Sequence, residues 1–110
     1  MSYAIVTTSR FERSFKRFRK KYASSLNDFA ELIAELKANP KAGQALGRDC
    51  YKVRMKIAAK NAGKSGGARV ITCVKILGQQ VFLLTVYDKS EQESISDNER
   101  DDMLRENGLL

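Results

Sequence analysis

The hydrophobic period of this chain changes at Asn39-Pro40, and that change restricts residues 9–88 to helices followed by strands. Ahead of the proline, Phe11, Phe15, Phe18 and Tyr22 recur at helical spacing, with Arg10, Arg13, Lys16, Arg17, Lys20 and Lys21 on the other face. Steps of three and four put the aromatics on one stripe of a helix, so they read as core packing and not as a base-stacking platform. Ser9-Arg-Phe-Glu12 fits a capping box at the start of this helix. Leu26, Phe29, Ile33 and Leu36 repeat in the same way after Ser25, an N-cap candidate with Asp28 in the first turn. Proline disfavours helical backbone in the residue before it, which ends the second helix at Asn39. Two amphipathic helices joined by a few residues form an antiparallel hairpin, and their apolar faces need a surface to cover.

Behind the proline the period is two. Tyr51, Val53, Met55 and Ile57 alternate with Lys52, Arg54 and Lys56, so one face of a strand enters the core and the other displays cations. Residues 59–67 form a loop carrying Lys60 and Lys64. Residues 69–76 and 81–87 read as strands joined around Gly78, the second apolar throughout, as in a strand buried on both faces. Residues 3–7 are a short β-branched run and read as a first strand, and residues 97–106, after Ser96, as a terminal helix. The expected fold is α+β in a single domain, 1–110. An N-terminal strand and a two-helix hairpin pack on a twisted, mainly antiparallel sheet of about four strands, with a short C-terminal helix.

Composition narrows the chemistry. The chain of 110 residues has 20 Lys+Arg, 13 Asp+Glu and no histidine. Residues 1–90 carry 18 basic and 6 acidic side chains and residues 91–110 carry 2 and 7, so a body of +12 precedes a tail of −5. Such a body calls for a polyanionic partner. The missing imidazole excludes Ser-His-Asp and papain-like Cys-His catalysis and histidine-based ribonuclease chemistry. Cys50 and Cys73, without histidine or Cys-x-x-Cys spacing, cannot form the usual zinc site, and read as buried, reduced thiols of a cytoplasmic protein. No apolar run approaches the ~20 residues of a membrane span, and no long apolar segment opens the chain, so no membrane partner is expected. Gly63-Lys64-Ser65 looks like the end of a phosphate-binding P-loop. Ala58 stands where that motif needs glycine, however, and the loop leads into a strand, not a helix.

Lys52, Arg54 and Lys56 repeat at about 6.6–7 Å along their strand, close to the phosphate repeat of single-stranded nucleic acid. Arg69 begins the next strand and Lys89 follows the last. Neighbouring strands would therefore gather these cations on one concave surface, with Lys60 and Lys64 in the loop and Tyr87 as a stacking face. If Arg54, Lys56, Lys60, Lys64 and Arg69 each neutralise one phosphate, binding falls with salt at a log–log slope of about −3.5.

Residues 51–54 (YKVR), 63–71 (GKSGGARVI) and 84–91 (LTVYDKSE), with the helical hairpin ending in Asn-Pro and the Gly-x-x-x-Gly loop at Gly43 and Gly47, resemble the RelE/HigB toxins. These belong to the RelE/ParE superfamily of bacterial toxin–antitoxin modules. The resemblance spans nearly the whole chain and implies a compact, microbial-ribonuclease-like fold. It also implies cleavage of mRNA without metal or cofactor, commonly within the ribosomal A site, and neutralisation by a cognate antitoxin. The ribose 2′-hydroxyl attacks the adjacent phosphate, leaving a 2′,3′-cyclic phosphate and a 5′-hydroxyl. By position, Lys52 and Arg54 match the basic pair on the second strand of RelE-like enzymes and Arg69 their phosphate-binding arginine. Lys89 lies near a further arginine of many members. Many members also stack a C-terminal tyrosine on a base, whereas no tyrosine follows Tyr87 here.

With no histidine and almost no carboxylate on the proposed surface, the cations would carry the reaction. A lysine crowded by cations loses affinity for its proton and serves as general base, while arginines stabilise the phosphorane. Lys52, Arg54, Arg69 and Lys89 are thus the catalytic candidates, and Lys56, Lys60, Lys64 and Tyr87 the RNA-binding ones. Two other functions compete: a ParE-like, gyrase-poisoning toxin, whose chains generally lack so dense a cationic face, and a non-enzymatic RNA-binding module. The acidic tail is expected to screen the basic site until an antitoxin lays a partly acidic segment over the helices or that face.

Overall fold

The computed structural model describes residues 3–61, 63, 64 and 66–110. Its elements in chain order are β1 (Ala4–Thr7), α1 (Ser9–Lys21), α2 (Ser25–Ala38), β2 (Gln44–Gly47), β3 (Cys50–Met55), β4 (Ala68–Lys75), β5 (Gln80–Asp88) and α3 (Asp97–Glu106). A turn of 3₁₀ helix at Ala58–Lys60 lies between β3 and β4. Among the described residues the sheet has five strands in the order β1-β5-β4-β3-β2, with β1 parallel to β5 and every other pair antiparallel. The strand beyond the expected four is β2, formed within the stretch read as a glycine loop. Gly43, at φ +98°, is required there because a Cβ would lie 2.3 Å from the Lys52 carbonyl oxygen.

Helix α1 is capped one residue earlier than the sequence suggests. Thr8, not Ser9, accepts the Phe11 amide, and its hydroxyl also donates to the Leu83 carbonyl at 2.8 Å, tying the helix start to β5. Glu12 instead accepts from the Thr7 hydroxyl. A true capping box opens α3, between Ser96 and Glu99. On α2 the inward face is Asp28, Leu32 and Leu36, with Phe29 and Ile33 at its margin. Leu26, expected in the apolar stripe, is exposed.

The sheet is covered unequally on its two faces, and this creates the site. Phe11, Phe15, Phe18, Leu32 and Leu36 of the hairpin cover Val53, Met55, Val70, Val81 and Leu83. The Phe15 and Phe29 rings lie 4.9 Å apart, so the aromatic stripe is core. On the opposite face Met103 and Leu104 of α3 cover Cys50, Ile71, Cys73 and Leu84. Each of those two side chains contributes about 1.5–3 kcal/mol by burial, enough to hold a short helix. Cys50, Lys52 and Arg54 share that face of β3 by the two-residue alternation. Of the three, only Cys50 belongs to the apolar cluster beneath α3.

Cys50 and Cys73 stand directly opposite each other in β3 and β4, both buried and unbonded to one another covalently. Hydrogen bonding to Cys73, together with burial, holds the Cys50 thiol far above its ordinary pKa, which makes it a poor nucleophile. Alkylating reagent is expected to label neither thiol in the folded protein and both after unfolding. The mass of unreduced protein should show intact thiols; a loss of two hydrogens would contradict this.

Candidate nucleic-acid interface

The open end of the α3-side face is crossed by one row of side chains: Arg54 pairs with Arg69, and Arg69 with Tyr87, in register across β3, β4 and β5. The Val74 amide donates to the Asp49 carbonyl at 2.9 Å, which fixes the phase of the β3–β4 ladder. In that phase Cys50/Cys73, Lys52/Ile71 and Arg54/Arg69 are the non-hydrogen-bonded pairs, whose side chains approach most closely. Two guanidinium groups placed opposite each other repel, and an anion between them relieves the repulsion.

Around this row lies an open cleft of about 570 Å³. Lys52, Arg54, Lys64, Arg69 and Lys89 all line it, so five of the eight residues selected from the sequence converge. Arg69 is its floor, only 5% exposed, with Nη1 donating to the Lys64 and Ala68 carbonyls at 3.2 and 3.0 Å. Burial, and then the charge of Arg54, lower its pKa from the ordinary arginine value. Arg54 itself is exposed. The loop that brings Lys64 to the rim is held close at its end. A Cβ on Gly67 would lie 2.3 Å from the Met55 carbonyl oxygen, and the Lys89 amide donates to the Gly67 carbonyl at 3.1 Å.

The remaining three candidates go elsewhere. Lys56 lies in an adjoining depression, ion-paired with Glu31 at 3.3 Å. Lys60 turns toward the end of α1, where its ammonium meets Asp88 at 3.2 Å and lies 6.0 Å from the centre of the Tyr22 ring. Tyr87 is buried outside the cleft lining, its hydroxyl donating to the Glu93 carbonyl at 3.4 Å, so it offers no open stacking face. Ser65, of the P-loop look-alike, lies outside the described residues.

The structure also brings in residues the sequence reading missed. Two carboxylates line the cleft, contrary to the expectation of almost none: Glu35 from α2, 3.4 Å from Lys64, and Glu93 from the segment between β5 and α3. The carboxylates of α3 do not screen it. They engage arginines in Arg10–Glu106, Arg48–Asp101, Arg100–Asp97 and Arg105–Asp102 pairs, outside the cleft lining. Asp88 is a third omission. Fully buried at the end of β5, it accepts hydrogen bonds from the Tyr22 hydroxyl, the Ser90 amide and hydroxyl, and Lys60. Sequence offered one signal for these groups, an acidic residue beside each basic segment, and that does not distinguish a solvated charge from a placed one. Among the described residues no group of three or more His, Cys, Asp or Glu could hold a metal ion, and no helix is long and apolar enough to cross a membrane.

A helical hairpin on one face of a sheet, a short helix on half of the other, and a floor of opposed arginines on the uncovered half define a small α+β domain with a cationic cleft. The family model described as the RelE toxin of the RelE / RelB toxin–antitoxin system matches residues 10–107, and the chain belongs to that family of toxins. Solved structures share the fold. A variant of the E. coli toxin RelE with two arginines replaced by alanine, in the free state, is similar at 22% identity and a TM-score of 0.59, over 84% of this chain and 90% of that one. The RelBE toxin–antitoxin complex from Mycobacterium tuberculosis is similar at 17% identity and a TM-score of 0.58, over 80% and 99%. The isolated E. coli RelE toxin is similar at 22% identity and a TM-score of 0.56, over 94% and 97%. No curated protein matches the chain by sequence.

Proposed function

We propose that this RelE-family toxin acts in the cytoplasm and inhibits translation by cutting mRNA on the ribosome without a metal, and that a cognate antitoxin neutralises it. The observation that carries the reading is the opposed Arg54–Arg69 pair on the cleft floor, with Lys52, Lys64 and Lys89 around it. A phosphodiester bound between the two guanidinium groups gains most as its equatorial oxygens acquire charge in the phosphorane, which is how fixed donors accelerate the step. The 2′-hydroxyl oxygen bonds to phosphorus, the bond to the 5′ oxygen breaks, and a 2′,3′-cyclic phosphate and a 5′-hydroxyl remain. The similar structure from Mycobacterium tuberculosis is a toxin–antitoxin complex, which supports an antitoxin partner here. The test is incubation of the protein with ribosome-bound mRNA in excess chelator, followed by analysis of product ends. Cyclic phosphate ends are expected. Intact RNA would favour a binding module or a gyrase poison, and metal-dependent cutting would refute the mechanism.

Salt dependence separates the cations that face the cleft from those that do not. With Lys52, Arg54, Lys64, Arg69 and Lys89 as the phosphate contacts, the log–log slope of RNA binding is expected to be about −3.5. Lys64→Ala should bring it toward zero by about 0.7, weakening all sequences alike. Lys60→Ala should leave the slope unchanged, because that ammonium is engaged with Asp88. A slope near zero in the wild type would reduce the basic surface to a solvated one.

A further inference from the structure

We propose that Glu93 is the general base that takes the 2′-hydroxyl proton, an assignment that rests on the ribonuclease reading above. Glu93 lines the same cleft as Arg54 and Arg69, and its charge is felt by both Arg69 and Tyr87. Its main chain is held in place from two strands: the carbonyl accepts from Lys52 Nζ of β3 and from the Tyr87 hydroxyl of β5, each at 3.4 Å. Among the described residues no ion pair or hydrogen bond engages its carboxylate. Glu35, the other carboxylate of the cleft, is tied to Lys64 at 3.4 Å. A segment anchored by its backbone that presents an unengaged carboxylate to a cationic floor has the arrangement a base requires.

The charged and titratable groups around Glu93 are Lys52 and Arg54 from β3, Arg69 from β4, Tyr87 from β5 and Lys89 just beyond it, with Lys64 and Glu35 on the far rim. A lysine among these must lose a proton before it can act as a base, whereas a carboxylate serves in its charged form. In the proposed step the Glu93 carboxylate accepts the 2′-hydroxyl proton as that oxygen bonds to phosphorus. The bond from phosphorus to the 5′ oxygen breaks, and the departing oxygen takes a proton from a cleft ammonium, Lys52 or Lys89. Solvent then removes the proton from Glu93 and restores the one lost by the lysine, so the enzyme returns unchanged.

Glu93→Gln tests this cleanly, because it keeps the carbonyl that docks the segment and removes only the base. Single-turnover cutting of ribosome-bound mRNA should slow by about 100-fold, while affinity for the RNA is unchanged or tighter. Formate should restore part of the rate to Glu93→Ala. A Gln variant as fast as the wild type, or one whose loss is all in affinity, would overturn the assignment. So would a loss confined to Glu35→Gln, which would move the base to α2. Failure of the wild type to cut RNA would instead overturn the ribonuclease reading itself.

Discussion

Arg69→Ala is expected to slow RNA cleavage by about 10²–10³-fold and to abolish growth inhibition in cells that express the protein. The magnitude is that of removing one fixed donor from a developing oxyanion. Arg69 qualifies as fixed because it is buried and its guanidinium is bonded to the carbonyls of Lys64 in the loop and Ala68 at the start of β4. The same bonds mean that alanine also costs stability, about 1–3 kcal/mol for acceptors left without a donor. Arg54→Ala separates the two effects. Arg54 is exposed across the pair, so its loss should change unfolding free energy by less than about 0.5 kcal/mol while still slowing cleavage severely. Arg69→Lys should not restore the rate, since a point charge lacks the planar fork that grips two oxygens. The measurements are single-turnover cleavage and denaturant unfolding on the three variants. A folded Arg69→Ala protein with full toxicity would remove the arginine pair from the mechanism.

What the sequence disclosed was whatever has a local cause. The Phe11-Phe15-Phe18 stripe and the Lys52-Arg54 alternation are periodicities, and periodicity selects a buried face whatever lies opposite. The helix at Asp97–Glu106 was read from the segment after Ser96, and its start has a local cause, since Ser96 and Glu99 satisfy one another's backbone within four residues. Thr8 and Ser9 offer the same hydroxyl chemistry, and the choice between them is made by Leu83, an acceptor far away in the chain. Strand β2 is mostly exposed, so no hydrophobic pattern marks it. What it requires is Gly43 against the Lys52 carbonyl, a condition on two distant segments. The site divides in the same way. Lys52, Arg54 and Arg69 were readable because strand alternation and β3–β4 pairing are regular. Lys60 was misplaced because its carboxylate partner, Asp88, lies 28 residues on, in another strand. Glu35 and Glu93 reach the cleft from two different elements, and in sequence each is one acidic residue among others.

Asp88→Ala should destabilise the fold by about 3–5 kcal/mol, the usual consequence of removing one partner from a buried, hydrogen-bonded charge cluster. Asp88 is 0% exposed and joins three parts of the chain: Tyr22 and Lys21 at the end of α1, Lys60 in the β3–β4 loop, and Ser90 beyond β5. Burial alone would raise the pKa of its carboxyl group, but the hydrogen bonds from Tyr22, Ser90 and Lys60 outweigh burial and hold it well below the ordinary carboxylate range. The sign of the pH effect follows. A carboxylate with a depressed pKa in the folded state contributes its stabilisation in full above the unfolded value, near 4, and loses it progressively as pH falls toward the folded value. Arg10 and Arg100 depress Glu106 and Asp101 in the same direction, so acid weakens the wild type through several groups. The contribution of Asp88 is therefore read as a difference, wild type minus Asp88→Asn, in urea unfolding at pH 7 and at pH 3. The difference should be large at neutral pH and smaller at pH 3, because the unfolded chain takes up a proton at this side chain there while the folded carboxylate, its pKa depressed, stays charged. Cleavage should fall as well, because the Lys60 contact helps to hold the loop that carries Lys64 and leads to Arg69. A stability gap that stays constant between the two pH values would show that Asp88 acts through packing and not through its charge.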